Sequence, residues 1–84
     1  MFYTYILYSK YLDVYYKGFT TDILKRLEDH VSGKSKYTSK SKDWIMVYYQ
    51  LFDSKTDALK EEKRLKKLNR ASIEKIIASF ISDK

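Results

Sequence analysis

The chain has 84 residues, 44% hydrophobic and 17% aromatic, which is one small domain with an aromatic-rich core and too apolar a chain for intrinsic disorder. With no cysteine and a single histidine, His30, it excludes a disulfide framework, a thiolate metal centre and any zinc site built from several imidazoles. Seventeen Lys and Arg against eleven Asp and Glu give +6 at pH 7, a balance that suits a polyanionic partner, nucleic acid before membrane.

The N-terminus reads Met-Phe-Tyr-Thr-Tyr, without a basic segment ahead of an apolar one, so no signal peptide is expected. Phe2 to Tyr8 and Val14 to Phe19 are dominated by aromatic and β-branched residues. Both predict strands, and the polar Ser9 to Asp13 between them predicts a hairpin connection. If residues 9 to 12 form the turn, Tyr5 lies directly opposite Tyr16. Thr20-Thr21-Asp22 then supplies three good N-cap residues ahead of a helix. Its apolar positions are Ile23, Leu24, Leu27 and Val31, and Gly33 provides the stop.

Residues 32–43 read SGKSKYTSKSKD. Lys34, Lys36, Lys40 and Lys42 alternate there with small polar residues, and Tyr37 is the one residue expected to anchor to a core, so a mobile basic loop is predicted. Trp44 to Phe52 predicts a third strand, apolar enough for a well-covered place in the sheet. Its longest apolar run, Trp44 to Tyr49, is far short of the ~20 residues of a membrane span. Ser54 and Asp57 have capping-box spacing before a helix from about Lys55 to Leu68, with Ala58, Leu59, Leu65 and Leu68 inward. A last helix buries Ile73, Ile76, Ile77 and Phe80. The order ββαβαα predicts an α+β domain over 1–84, with helices on a small, mostly antiparallel three-stranded sheet. A reducing cytoplasm is the compartment this composition fits.

Six of the nine tyrosines lie in the first 16 residues, and β-propensity alone accounts for each taken singly. Their order with the charged residues says more. Tyr3-Thr4-Tyr5 lies in the first strand, Tyr16-Lys17-Gly18 ends the second, Arg26 and His30 follow on the first helix, and Glu61 and Glu62 lie in the second. This ordered set resembles the GIY-YIG nuclease domain, most closely its small free-standing, UPF0213-like branch. The similarity runs from about Phe2 to Ile77 and includes the Lys-Tyr-Thr loop, Val-Tyr-Tyr, and Ala-Leu-Lys-Glu-Glu-Lys-Arg-Leu-Lys. The chain departs from the family pattern at several places. Tyr3 stands where the first triplet has Gly, Lys17 replaces an aliphatic residue, Phe19 follows the second triplet where some members have Lys, and Asn69 is the one candidate for a later Asn.

The resemblance implies metal-dependent hydrolysis of phosphodiester bonds in DNA or structured nucleic acid. Its centre would be Tyr5, Tyr16, Arg26, His30 and Glu62, with Mg²⁺ or Mn²⁺ on Glu62. A carboxylate is the right hard ligand for such an ion, and a guanidinium fork suits phosphate oxygens. Helical periodicity leaves Glu61 and Glu62 equivalent beside the apolar stripe, and the resemblance selects Glu62. On position alone His30 is a half-buried boundary residue and Arg26 a solvated helix charge. Two kinds of base compete. A phenol is drawn down in pKa by Arg26 and a metal and pushed up by burial, whereas His30 starts from a reference value of ~6.5. The loop lysines Lys34, Lys36, Lys40 and Lys42 would track the backbone without reading sequence. With no separate recognition domain expected, specificity would come from nucleic-acid shape or a partner protein, and double-strand cutting from a transient dimer. The alternatives are a nucleic-acid-binding module on the same fold with weak or no catalysis, and an interaction protein using an aromatic sheet face.

Overall fold

The computed structural model describes residues 1–36 and 38–82. Strands β1 (Phe2–Ser9), β2 (Val14–Thr20) and β3 (Ile45–Phe52) form one sheet in the order β2-β1-β3, with both pairings antiparallel. Helices α1 (Ile23–Val31), α2 (Lys55–Lys67) and α3 (Arg70–Ser82) pack against it, and a 3₁₀ turn, Thr38–Lys40, lies in the segment before β3. The predicted α+β class and the order ββαβαα both hold.

The local signals act as their chemistry dictates. Asp22 Oδ1 accepts from the Lys25 amide at 3.1 Å and Ser54 Oγ from the Asp57 amide at 3.3 Å, so each cap satisfies an orphan N–H of its helix. Just beyond α1, Gly33 takes φ +83°, the left-handed conformation that ends helices.

Strand β1 is the central one and is buried on both faces. Ile6 joins Tyr48, Leu65, Ile73 and Ile77 in the core beneath α2 and α3, where Thr4 Oγ1 also donates to the Ala58 carbonyl at 2.6 Å. Tyr5 and Leu7 join Trp44, Ile23 and Leu27 on the opposite face beneath α1. Alternate β1 residues thus serve two separate cores, as the strand's period of two requires.

Four expectations need correction. The hairpin turn is residues 10–13, not 9–12, with Asp13 at φ 55°. Tyr5 therefore faces Gly18, and Tyr16 faces Leu7. The slip is by two residues, which preserves the faces, so both phenols still lie on one side of the sheet. Strand β3 is an edge strand rather than a well-covered one, with Ile45, Tyr49 and Leu51 exposed. Its apolar surface is screened in part by Phe80, whose ring lies 5.4 Å from Tyr48 and 5.3 Å from Tyr49. Leu24 and Leu59 point outward, because α1 docks through Ile23, Leu27 and His30 and α2 through Ala58 and Leu65.

The basic loop is the fourth. Tyr37 lies outside the described residues, and other side chains hold the loop. Thr38 is fully buried and Ser35 nearly so, and Trp44 Nε1 donates to the Thr38 carbonyl at 2.8 Å. The loop's end is tied to the hairpin by Asp43, which accepts from Ser9 Oγ at 2.6 Å and the Tyr11 amide at 2.8 Å. Hydrogen bonds from Ser41, Ser9 and the Tyr11 amide hold the Asp43 carboxyl down at about 2. A carboxyl depressed in the folded state stabilises it above the unfolded value of 3.8, and that contribution is lost as pH falls towards about 2. Acid unfolding of the parent compared with Asp43→Asn measures it. The stability difference between the two should be largest near neutrality and shrink from about pH 4 downwards.

Candidate active site

Five side chains from four elements meet at the β2 edge of the sheet. Tyr5 comes from β1, Tyr16 from β2, Arg26 and His30 from α1, and Glu62 from α2. The ring of Tyr5 lies 6.3 Å from that of Tyr16 and 5.8 Å from the His30 imidazole, and Tyr16 lies 4.8 Å from His30.

Gly18 makes this possible. It sits opposite Tyr5, and the Tyr5 ring lies over its Cα. A Cβ there would fall 2.5 Å from both Cζ and Oη of Tyr5 and 3.0 Å from Cε2 of Tyr16. Glycine is the residue that leaves room for the phenol to cross the strand. Its other usual asset, left-handed backbone, is not needed at this position.

His30 is fully buried, not the boundary residue that its place on the helix suggests. Both ring nitrogens are engaged, Nε2 at 2.8 Å from Tyr5 Oη and Nδ1 at 2.6 Å from Thr38 Oγ1. Burial, followed by the charge of Arg26, lowers its pKa to about 4, so the imidazole is neutral. Burial pushes the Tyr5 phenol up to about 12, against the lowering effect of Arg26. At Tyr5 desolvation exceeds the pull of the guanidinium.

Arg26 reaches both phenols. Burial opposes its charge, but the hydroxyls of Tyr5 and Tyr16 outweigh that and raise its pKa. Asp29, one turn on, approaches it at 3.9 Å.

The structure also separates the two glutamates. Glu61 is held by Arg64 in a two-pronged contact of 2.7 and 2.8 Å and turns towards Tyr48, on the β3 side. Glu62 turns the other way, where its charge acts on Tyr5, and its Oε2 lies 3.5 Å from Lys66 Nζ. Tyr16 lines an open groove of about 260 Å³ with Tyr15, Lys17 and Lys66. Lys34, Lys36, Lys40 and Lys42 are exposed and line no part of it; Lys40 borders a separate hollow with Leu12, Val14 and Trp44. Thr38 escaped the sequence reading because no periodicity links a loop residue to His30. The Lys-Tyr-Thr triplet was its only trace.

Among the described residues no three His, Asp or Glu side chains cluster as a metal cage. A single carboxylate whose charge reaches the Tyr5 phenol still fits Mg²⁺ or Mn²⁺, ions that keep most of their waters and take substrate phosphate as a ligand. Glu62 is the residue that would hold such an ion.

This sheet, with its paired tyrosines, arginine, histidine and glutamate, defines a GIY-YIG domain. The GIY-YIG catalytic domain matches residues 1–76, and the chain belongs to that family. Its relatives carry the designation UPF0213. A UPF0213 protein of Halobacterium salinarum is 39% identical over 61 residues, covering 71% of this chain and 79% of the relative. One from Natronomonas pharaonis is 36% identical over 64 residues, covering 75% of each. The solution NMR structure of a UPF0213 protein from Bacillus halodurans superposes with a TM-score of 0.61 at 36% identity, covering 93% of this chain and 84% of that one. The protein is thus a member of the UPF0213 branch.

Two measurements check this geometry. With one histidine in the chain, ¹⁵N NMR reads His30 without ambiguity, and it should titrate near about 4 rather than 6.5. A histidine held neutral in the fold stabilises it above the unfolded value, so the gain should fade as pH drops from about 6.5 to about 4. Gly18→Ala should displace the Tyr5 ring and lower unfolding free energy by roughly 1–3 kcal/mol, the usual cost of overpacking. An alanine variant as stable as the parent in urea would contradict the crossing.

Proposed function

We propose that the protein is a metal-dependent phosphodiesterase acting on nucleic acid, with DNA or a structured nucleic acid as substrate. The observation that carries this reading is the meeting of Tyr16, Arg26 and Glu62 around Tyr5 at the mouth of a basic groove. Hydrolysis of a phosphodiester needs a base for the attacking water, positive charge on the non-bridging oxygens and relief of charge on the leaving oxygen. Those needs map onto different side chains here.

Tyr16 is the base in this reading. It lines the groove, whereas Tyr5 is 1% exposed, has a pKa of about 12 and is hydrogen-bonded inward to His30. His30 is no better placed, with no exposed surface and both nitrogens occupied. Tyr5 and His30 are positioning residues that hold the guanidinium of Arg26 from behind. Arg26 presents its remaining N–H groups to the phosphate oxygens. Glu62 would hold Mg²⁺ or Mn²⁺, which when bound supplies Lewis-acid stabilisation of the leaving oxygen. As the water attacks phosphorus, its proton passes to the Tyr16 phenolate, and the bond to the leaving oxygen breaks. The lysines Lys34, Lys36, Lys40 and Lys42 contact phosphates farther along the strand.

The test is single-turnover cleavage of a panel of duplex, single-stranded and branched DNA and RNA, with saturating Mn²⁺ and over a range of pH. A phenolate base gives a rate that climbs from neutral into alkaline pH. Tyr16→Phe should lose about 10²–10⁴-fold, and His30→Ala should keep the alkaline rise at a reduced rate. Normal cleavage by Tyr16→Phe would remove the phenol from the chemistry. Binding without cleavage throughout the panel would identify a nucleic-acid-binding module.

A further inference from the structure

The groove beside Tyr16 contains a cation with no counter-ion. Lys17 is half-buried, and among the described residues no carboxylate lies within ion-pair distance of its ammonium. Its side chain leaves β2 on the face opposite Tyr16, opposite Ile6, and so emerges beside α2, where Lys66 lines the same groove. Lys66 does have a partner, Glu62 at 3.5 Å, the carboxylate already assigned to the metal. The next hollow along β2, about 270 Å³, shares Tyr15 and Lys17. Its other cation, Arg70, is taken by Asp13 at 2.6 Å and Glu74 at 3.3 Å, so that hollow adds no second free cation to Lys17.

We propose that Lys17 and Lys66 form a phosphate subsite at the mouth of the Tyr16 groove, with Lys66 exchanging Glu62 for phosphate oxygens when nucleic acid binds. The subsite rests on the catalytic reading of Tyr16 and Glu62 and adds the backbone contact next to the scissile position. An ammonium without a counter-ion gives up no internal partner when an anion enters its groove. Lys66 is 57% exposed, and an ion pair that open is weak, so giving up Glu62 costs little. Once Lys66 has turned to the phosphate, both carboxylate oxygens of Glu62 are available to a divalent cation. Until then Lys66 occupies the carboxylate in the cation's place.

The subsite predicts two effects, neither of which needs cleavage. The first is affinity for a short random-sequence DNA duplex, measured with chelator present across a salt series. Lys17→Met and Lys66→Met should each reduce the log–log salt slope by ~0.9, and the double variant by about twice that. Lys17→Arg, which keeps the charge, should retain the parent slope. The second is Mn²⁺ binding to the DNA-free protein by electron paramagnetic resonance, where Lys66→Met should bind several-fold more tightly. An unchanged slope in the double variant, or no duplex binding by the parent, overturns the subsite. Unchanged Mn²⁺ affinity in Lys66→Met overturns the exchange. A protein that shows both effects yet cleaves nothing keeps the subsite and loses the nuclease reading, and one that cleaves with an unchanged slope does the reverse.

Discussion

The ring of Tyr5 crosses β2 at Gly18, and most of the site's geometry follows from that contact. Because the ring lies over the strand, its hydroxyl reaches the β2 edge, where α1 delivers Arg26 and His30. Because β1 is the middle strand, the phenol is enclosed and its oxygen must find partners inside the protein. It finds one in His30, which in turn binds Thr38. One buried hydroxyl thus ties two strands, a helix and the basic loop into a common arrangement.

The same burial divides the site into a dry half and a wet half. On the dry side, desolvation moves Tyr5 up to about 12 and His30 down to about 4, so both are neutral at any pH where the protein would work. Neutral groups there cost less than charged ones. On the wet side lie Tyr16, Lys17 and Lys66, with Glu62 beside Lys66. In the proposed hydrolysis, the groups that exchange protons, phosphate or a cation with solvent are the ones on that side. Proximity in sequence says nothing about the division, since Tyr16, Lys17 and Gly18 are consecutive and serve the groove, the groove wall and the buried crossing respectively.

The helix ends and the strand alternation were legible because they depend on neighbours within a few residues. Asp22 and Ser54 cap, Gly33 stops, and Thr4 to Leu7 alternate between two cores, each for a reason contained in its own segment. The errors share a different cause. Leu24 and Leu59 carry the right hydrophobicity for a core, but each helix docks along a line that leaves them outside. The apolar β3 reads as a covered strand, yet it can join only the free side of β1, and α3 then shields part of it with Phe80. Residue type could not reveal that Thr38 and His30, eight positions apart, share a hydrogen bond.

Composition and order alone specify a small basic α+β domain, its ββαβαα succession, the family to which its tyrosines, arginine, histidine and glutamate point, and both phenols on one sheet face. A register slip of two residues left that last result intact, because side chains alternate with period two. The opposite turns of Glu61 and Glu62, the inward hydrogen bond of Tyr5, the neutrality of His30 and the meeting of Lys17 with Lys66 at one groove all required the assembled molecule. Each depends on which groups are desolvated and which charges meet across elements. Those distances are set by packing between segments far apart in the chain, which no local pattern encodes.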